Sequence, residues 1–315
     1  MDMELDDNQR ALCDAVADMV AHHLEIPRNG PTAPAVEYVY ADALEGELSA
    51  GEFFSIALID DGGALEAALL IYEICRSPQV LEAANSMLVG PLLTGKQLPR
   101  PIAIARKSEL TQAVRFLDRA KTLIVDMGDD VAVLDTQTLS IEAVPSMFAY
   151  PLARLAAPAN IPASARLGGE KVRELRRLWR IALATEAASA LQATVDFTTG
   201  YVKDRRVFGR PVGSFQAVQH RLAADLQQSR GAYWLAMRAA WSGEESDAAL
   251  AALYAQQAIT AVNYDAHQFN GALGMTLEHD LHFWTLRLRW LQGELGGPQG
   301  QTPDIARLVW PEAAK

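Results

Sequence analysis

The sequence predicts a mainly α-helical protein with a small β domain in its middle. Three observations predict this class. Apolar residues recur at steps of three and four in the first hundred residues, the pattern shortens to strand-like runs between Pro99 and Leu155, and long helical patterns return from Glu170 to near the end. The expected organisation is a helical amino-terminal domain over 1–98, a β domain over 99–158 and a carboxy-terminal four-helix bundle over 159–315.

From Asn8 to about His23, Leu12, Val16, Met19 and Val20 fall on one helical face, and Pro27 to Pro34 ends the segment. Ala64 to Arg76 is dense in Ala, Leu and Ile and reads as a second helix. Pro78 opens a third segment, which Gly90-Pro91 is expected to interrupt. Pro101 to Ala105, Thr122 to Asp126, Val131 to Leu134 and Leu139 to Val144 are short apolar runs between polar turns, with Gly128-Asp129 at a hairpin turn. So few strands can form only a small β domain. Ala156 to Ser164, with two prolines, reads as a linker.

The bundle begins with a helix from about Lys171 to Lys203. A second, Ser214 to Trp241, places Phe215, Val218, Leu222, Leu226, Tyr233 and Met237 on one face. Ser242 to Asp247 forms a turn with Asp247 as the expected cap, and a third helix runs to about Gln268. After Thr276, the alternation Leu277, Leu281, Trp284, Leu288, Leu291, Leu295 predicts the seam of a fourth.

Of 315 residues half are hydrophobic, so a large core is available, and the net charge is −11. That balance argues against nucleic acid or an anionic membrane as the main partner, because the densest basic cluster, Arg173 to Arg180, alternates with apolar residues. Cys13 and Cys75 lack metal or redox spacing and read as free thiols of a reducing cytosol. The acidic start Met1 to Asp7 does not resemble a signal peptide, and no apolar run nears the roughly 20 residues of a membrane span. A soluble cytoplasmic protein is expected.

Chemistry concentrates in three places. Arg205, three residues before Phe208-Gly209 and near Pro211, sits at a helix end as a planar donor fork suited to a diphosphate; the competing reading is a solvated basic turn. Gln268-x-x-Gly271-x-x-Gly274 lies between two helices, where backbone can approach an anion closely, or where a plain helix-helix turn would also stand. Glu278 follows Gly274 by four residues, either as a chemical base or as an ordinary acidic residue at a helix start. The run Glu278-His279-Asp280-Leu281-His282 invites a metal, but a bundle di-metal site needs Glu-x-x-His on two helices and no second copy exists. No metal is expected.

Taken together, Tyr201, Arg205, Phe208-Gly209, Pro211, Phe215-Gln216 and the later Gln268, Gly271, Gly274 resemble the carboxy-terminal domain of the acyl-CoA dehydrogenases, flavoenzymes that desaturate acyl-CoA thioesters between Cα and Cβ. The resemblance covers about residues 170–295 well and residues 1–160 only in domain order. It implies FAD, with Arg205 on the diphosphate, Phe208 and Gln216 on the adenosine part, and Gln268, Gly271 and Gly274 as the backbone cradle, although Ala272 replaces a family glycine. It offers Glu278 as the base for the α-proton. The alternative base position in another branch falls on Leu178, which has no acid, and Glu186 has no matching role.

The middle β domain lacks the Thr-containing, Gly-Ser-Asp-rich loop and the Trp strand that surround the flavin ring in the family, and the usual carboxy-terminal Gly-Thr-Ala-Gln is replaced by Gly296 to Thr302. In family homo-oligomers one subunit holds the ring while its neighbour holds the ADP half. The resemblance therefore implies a shortened subunit of a heteromeric (α2β2) acyl-CoA dehydrogenase, of the kind acting on steroid-CoA thioesters, with a second dehydrogenase subunit, an acyl-CoA substrate and an electron acceptor as partners. A self-sufficient homomeric enzyme using Glu278, and a non-catalytic assembly protein, are the competing expectations.

Overall fold

A computed structural model describes residues 4–26, 38–158 and 160–310; the expected break at Pro27 to Pro34 lies outside them. The amino-terminal helices are α1 (Asp7–His22), α2 (Asp42–Ala50), α3 (Ala64–Ile74) and α4 (Gly90–Thr94). Asp6 caps α1 by accepting from the Gln9 amide, and Gln9 returns the bond to complete a capping box. Gly90-Pro91 does not interrupt its segment. A π-turn over Asn85–Val89 runs directly into α4, whose first turn needs no amide from Pro91.

Two three-stranded sheets form the β region. The first has the order β1 (Ile102–Arg106), β3 (Thr122–Asp126), β4 (Val131–Asp135), with β1 parallel and β4 antiparallel to β3. The second orders β2 (Val114–Arg115), β6 (Leu152–Leu155) and β5 (Ile141–Val144). Period two explains why the first sheet reads as continuous apolar runs. Ile102, Ile104 and Ile124 point into the main helical core, whereas Ala103, Ala105, Leu123 and Val125 point into a second core shared with Val114, Ala153 and Leu155. β2 and β6 were not among the expected strands.

The carboxy-terminal helices are α5 (Lys171–Asp204), α6 (Gln216–Ser242), α7 (Glu245–Asn270), α8 (Leu281–Gly293) and α9 (Gly297–Val309). Between α5 and α6 a hairpin pairs β7 (Arg206–Val207) with β8 (Arg210–Pro211). Helix α5 is buried along nearly its whole middle, from Leu178 to Val195, because α6, α7, α8 and the amino-terminal α3 all pack on it. Its Ala content lets those neighbours approach closely.

Three details depart from the sequence reading. Asp247 lies inside the first turn of α7, where it pairs with Arg238, and Glu244 occupies the cap position. The α8 seam is shorter than expected, since Leu277 is exposed and Leu295 falls beyond the helix in a left-handed conformation, although it remains buried. Helix α9 completes the bundle with Pro298 in its first turn. Among the described residues no helix is long and apolar enough to cross a membrane. Cys13 and Cys75 are free, and burial pushes both thiols up, away from reactivity.

Candidate functional site

The Arg205 and Gly271 motifs meet at one end of the bundle. Helix α5 stops at Asp204 because Arg205 turns extended, while its amide still bonds the Tyr201 carbonyl at 2.9 Å. The chain then reverses through Phe208 and Gly209, with φ of 52° and 80°, so that the hairpin tip has two consecutive left-handed residues. Glycine accepts that conformation freely and phenylalanine does not, which makes Phe208 a strained residue worth explaining. Its ring is 93% exposed. Arg205, Arg206 and Arg210 stand exposed around it, with Arg210 stacked on Phe215 at 3.9 Å, and Gln216 is exposed at the start of α6.

Helix α7 ends at the same end of the bundle, where Asn270 Nδ2 donates to Thr198 Oγ1 of α5 at 3.1 Å. Gln268 is exposed on its last turn, and Gly271 closes the helix at φ 61° and ψ −145°, a conformation hostile to a side chain. Arg221 of α6 pairs with Asp265 of α7 and lies over the rings of Tyr264 and Phe269, which ties the two helices together near the site. Gly274 has a different job from Gly271. It is buried, its carbonyl meets His267 Nδ1 at 2.8 Å, and a Cβ there would come 2.8 Å from the Asn270 Cβ. Packing alone accounts for that glycine.

Glu278 stands exposed in the turn before α8, whereas an α-proton base acts from a dry pocket. The neighbouring histidines face separate partners: His279 Nε2 meets Asn270 Oδ1 and His282 Nδ1 meets the His279 carbonyl, both at 2.8 Å. Leu178 is fully buried in the core.

Glu294, which the sequence reading missed, is a carboxylate that reaches a cavity. A cavity of about 300 Å³ lies between the β region and α8, lined by Ile104, Val114, Arg115, Phe148, Trp290 and Glu294. Its floor is an ionic network. Arg115 donates to both oxygens of Glu186 at 2.7 and 2.8 Å and lies 3.3 Å from Glu294 Oε2, while Trp179 Nε1 donates to Glu294 Oε1 at 2.6 Å. Burial opposes the charge on Arg115, but the two carboxylates outweigh it and raise its pKa. Glu186, without a role in the sequence reading, is the buried counter-ion of this arginine. No local signal marks the pair, because its members are 71 residues apart.

These two features lie at opposite ends of α5. Trp179 marks the cavity and Arg205 the exposed motifs, and 26 residues at 1.5 Å each separate them by about 39 Å.

Residues 176–309 match the family model described as acyl-CoA dehydrogenase, C-terminal domain. Acyl-CoA dehydrogenase FadE34 of Mycobacterium tuberculosis is 36% identical over 293 residues, covering 91% of this chain and 36% of that protein. Acyl-CoA dehydrogenase IpdE2 of Mycolicibacterium smegmatis is 34% identical over 128 residues, which is 41% of either chain. The chain thus spans well under half the length of the curated relatives it matches. Among solved structures, a chain of the ChsE4-ChsE5 complex from Mycobacterium tuberculosis superposes with a TM-score of 0.78 at 21% identity, covering 98% of this chain and 99% of that one. Butyryl-CoA dehydrogenase from Megasphaera elsdenii gives 0.74 at 20% identity, over 98% and 100%. With its carboxy-terminal domain matched by the family model and 91% of its length aligned with FadE34 at 36% identity, the chain belongs to the acyl-CoA dehydrogenase family.

Proposed function

We propose that this chain is a subunit of a heteromeric FAD-dependent acyl-CoA dehydrogenase, supplying the ADP-side contacts to an FAD whose ring is held by a different subunit. The observation that carries the reading is the separation along α5. Arg205, Phe208, Gln268 and Gly271 are exposed together at one end, and the chain's own β-region cavity lies about 39 Å away, beyond the reach of one extended dinucleotide. On this reading the ADP half and the ring of a single FAD contact different chains.

The residues present fit the ADP half. Arg205 offers its guanidinium fork to the diphosphate, Gln216 and Gln268 offer exposed amides, Gly271 lets backbone approach, and Phe208 offers a free aromatic face to the adenosine part. They do not fit the ring half. The cavity is at the bottom of the size range for ligand sites, and the arginine at its floor is committed to two carboxylates. When bound, FAD accepts hydride from Cβ of an acyl-CoA as the α-proton is removed. The base for that proton belongs to the partner, since Glu278 is exposed here.

Two comparisons favour a heteromer over a homomer. FadE34 is matched over only 36% of its length, which leaves room in that polypeptide for a second and longer dehydrogenase unit. One fold neighbour is a complex of two differently named chains, and another is the Tcur3481-Tcur3483 steroid ACAD. A steroid-CoA thioester is accordingly the substrate class we favour, with an electron-transfer protein as acceptor.

Flavin content tests the reading. The chain purified alone should be colourless, and co-expression with a partner dehydrogenase chain should give a yellow complex that reduces an acceptor with acyl-CoA. A yellow, active single chain would sink the partner-subunit reading; a stable complex without flavin would favour an assembly role.

A further inference from the structure

Asn270 precedes the Gly271 turn and is 1% exposed. Its Nδ2 donates to the Ala266 carbonyl at 2.8 Å and to Thr198 Oγ1 at 3.1 Å. A carbonyl only accepts, so the amide orientation follows from chemistry, and the remaining atom, Oδ1, must be an acceptor. His279 Nε2, 2.8 Å from that oxygen, therefore carries a proton. The His279 ring in turn packs between Phe197 and Tyr201 of α5, with centroids 4.9 and 5.3 Å away. Tyr201 is the residue whose carbonyl receives the Arg205 amide.

One imidazole thus joins the last turn of α5, the last residue of α7 and the turn before α8. We propose that His279 and Asn270 are positioning residues that hold the Gly271 turn in register with Arg205, so that both reach the same diphosphate. This deepens the ADP-side reading above and rests on it. Without the bond from His279, Asn270 has a buried acceptor unsatisfied and the α7 terminus can rotate away from α5. A diphosphate contact set by two elements then loses one of them, because geometry and not charge is what changes. Neither residue needs to touch the nucleotide.

The test uses the reconstituted complex, with FAD affinity read by flavin fluorescence and fold integrity by thermal midpoint. Arg205→Ala reports on the underlying reading and should weaken FAD binding. His279→Leu keeps bulk between the rings but removes the donor, and should weaken FAD about tenfold with little change in midpoint. His279→Gln, which keeps an N–H donor, should restore most of that loss, and Thr198→Val should give a smaller loss in the same direction. If Arg205→Ala weakens binding while His279→Leu does not, the positioning role is wrong and the ADP-side reading stands. If Arg205→Ala has no effect, both fall. Should His279→Leu lose affinity only in proportion to a lower midpoint, with no rescue by Gln, the residue is merely structural and the proposal is overturned.

Discussion

Arg115 on β2 and Glu186 on α5 form a bidentate ion pair, at 2.7 and 2.8 Å, with both side chains under a tenth exposed. A buried pair of this geometry is worth little over an apolar pair of the same volume but is costly to halve. Arg115→Met should cost ~3–5 kcal/mol of unfolding free energy, since Glu186 and Glu294 then keep their charge without the cation. Arg115→Met with Glu186→Leu should recover the part due to Glu186. Urea titrations of the three proteins check it, and equal losses in single and double variants would refute the pairing.

Glu82 gives the chain a pH dependence. It is 1% exposed, and burial raises its carboxyl to about 7 despite hydrogen bonds from Ser86, Ile102 and Asn85. With the folded pKa above the unfolded value, the folded state holds the extra proton. The associated stability is complete below about 4.5, falls as pH rises, and is gone above about 7. Wild type should therefore lose up to about 3 kcal/mol relative to Glu82→Gln between pH 4.5 and 7. Parallel stability curves for the two proteins would contradict this.

Phe208→Ser should leave the subunit's own stability within about 0.5 kcal/mol, because the ring makes little contact with its own chain. In the complex the same change should weaken subunit association or FAD retention, by about 2 kcal/mol if the ring fills a partner pocket. Sedimentation and flavin release measure the two arms separately.

Glu278→Gln should not alter turnover of the complex, since the carboxylate is exposed and remote from the cavity. A large drop in kcat with an intact flavin spectrum would return Glu278 to the role of base.

Much of this molecule is legible from its residues. Thr122 to Asp126 and Val131 to Asp135 announce themselves because both faces are buried, leaving unbroken apolar runs. The exposed cluster of Arg205, Phe208 and Gly271 is legible because its residues stand at a recognisable spacing along the chain, which needs no knowledge of their contacts. Other features carry no local sign. Val114–Arg115 is too short for a period, and its arginine is buried only because a partner stands 71 residues away. Gly297 to Gly300 looks like coil, yet tertiary packing on α7 makes it the first turn of α9. Spacing after a glycine locates Glu278 in sequence, while only the fold reports that its carboxylate is exposed.

On the heteromeric reading proposed above, the Phe208 hairpin bears on how a cell makes this protein, because a strained turn that holds one aromatic ring in water is covered only when a neighbour docks on it. Unequal synthesis of the two chains would then leave that ring bare on the excess copies, and gene dosage is the variable through which it would first be felt.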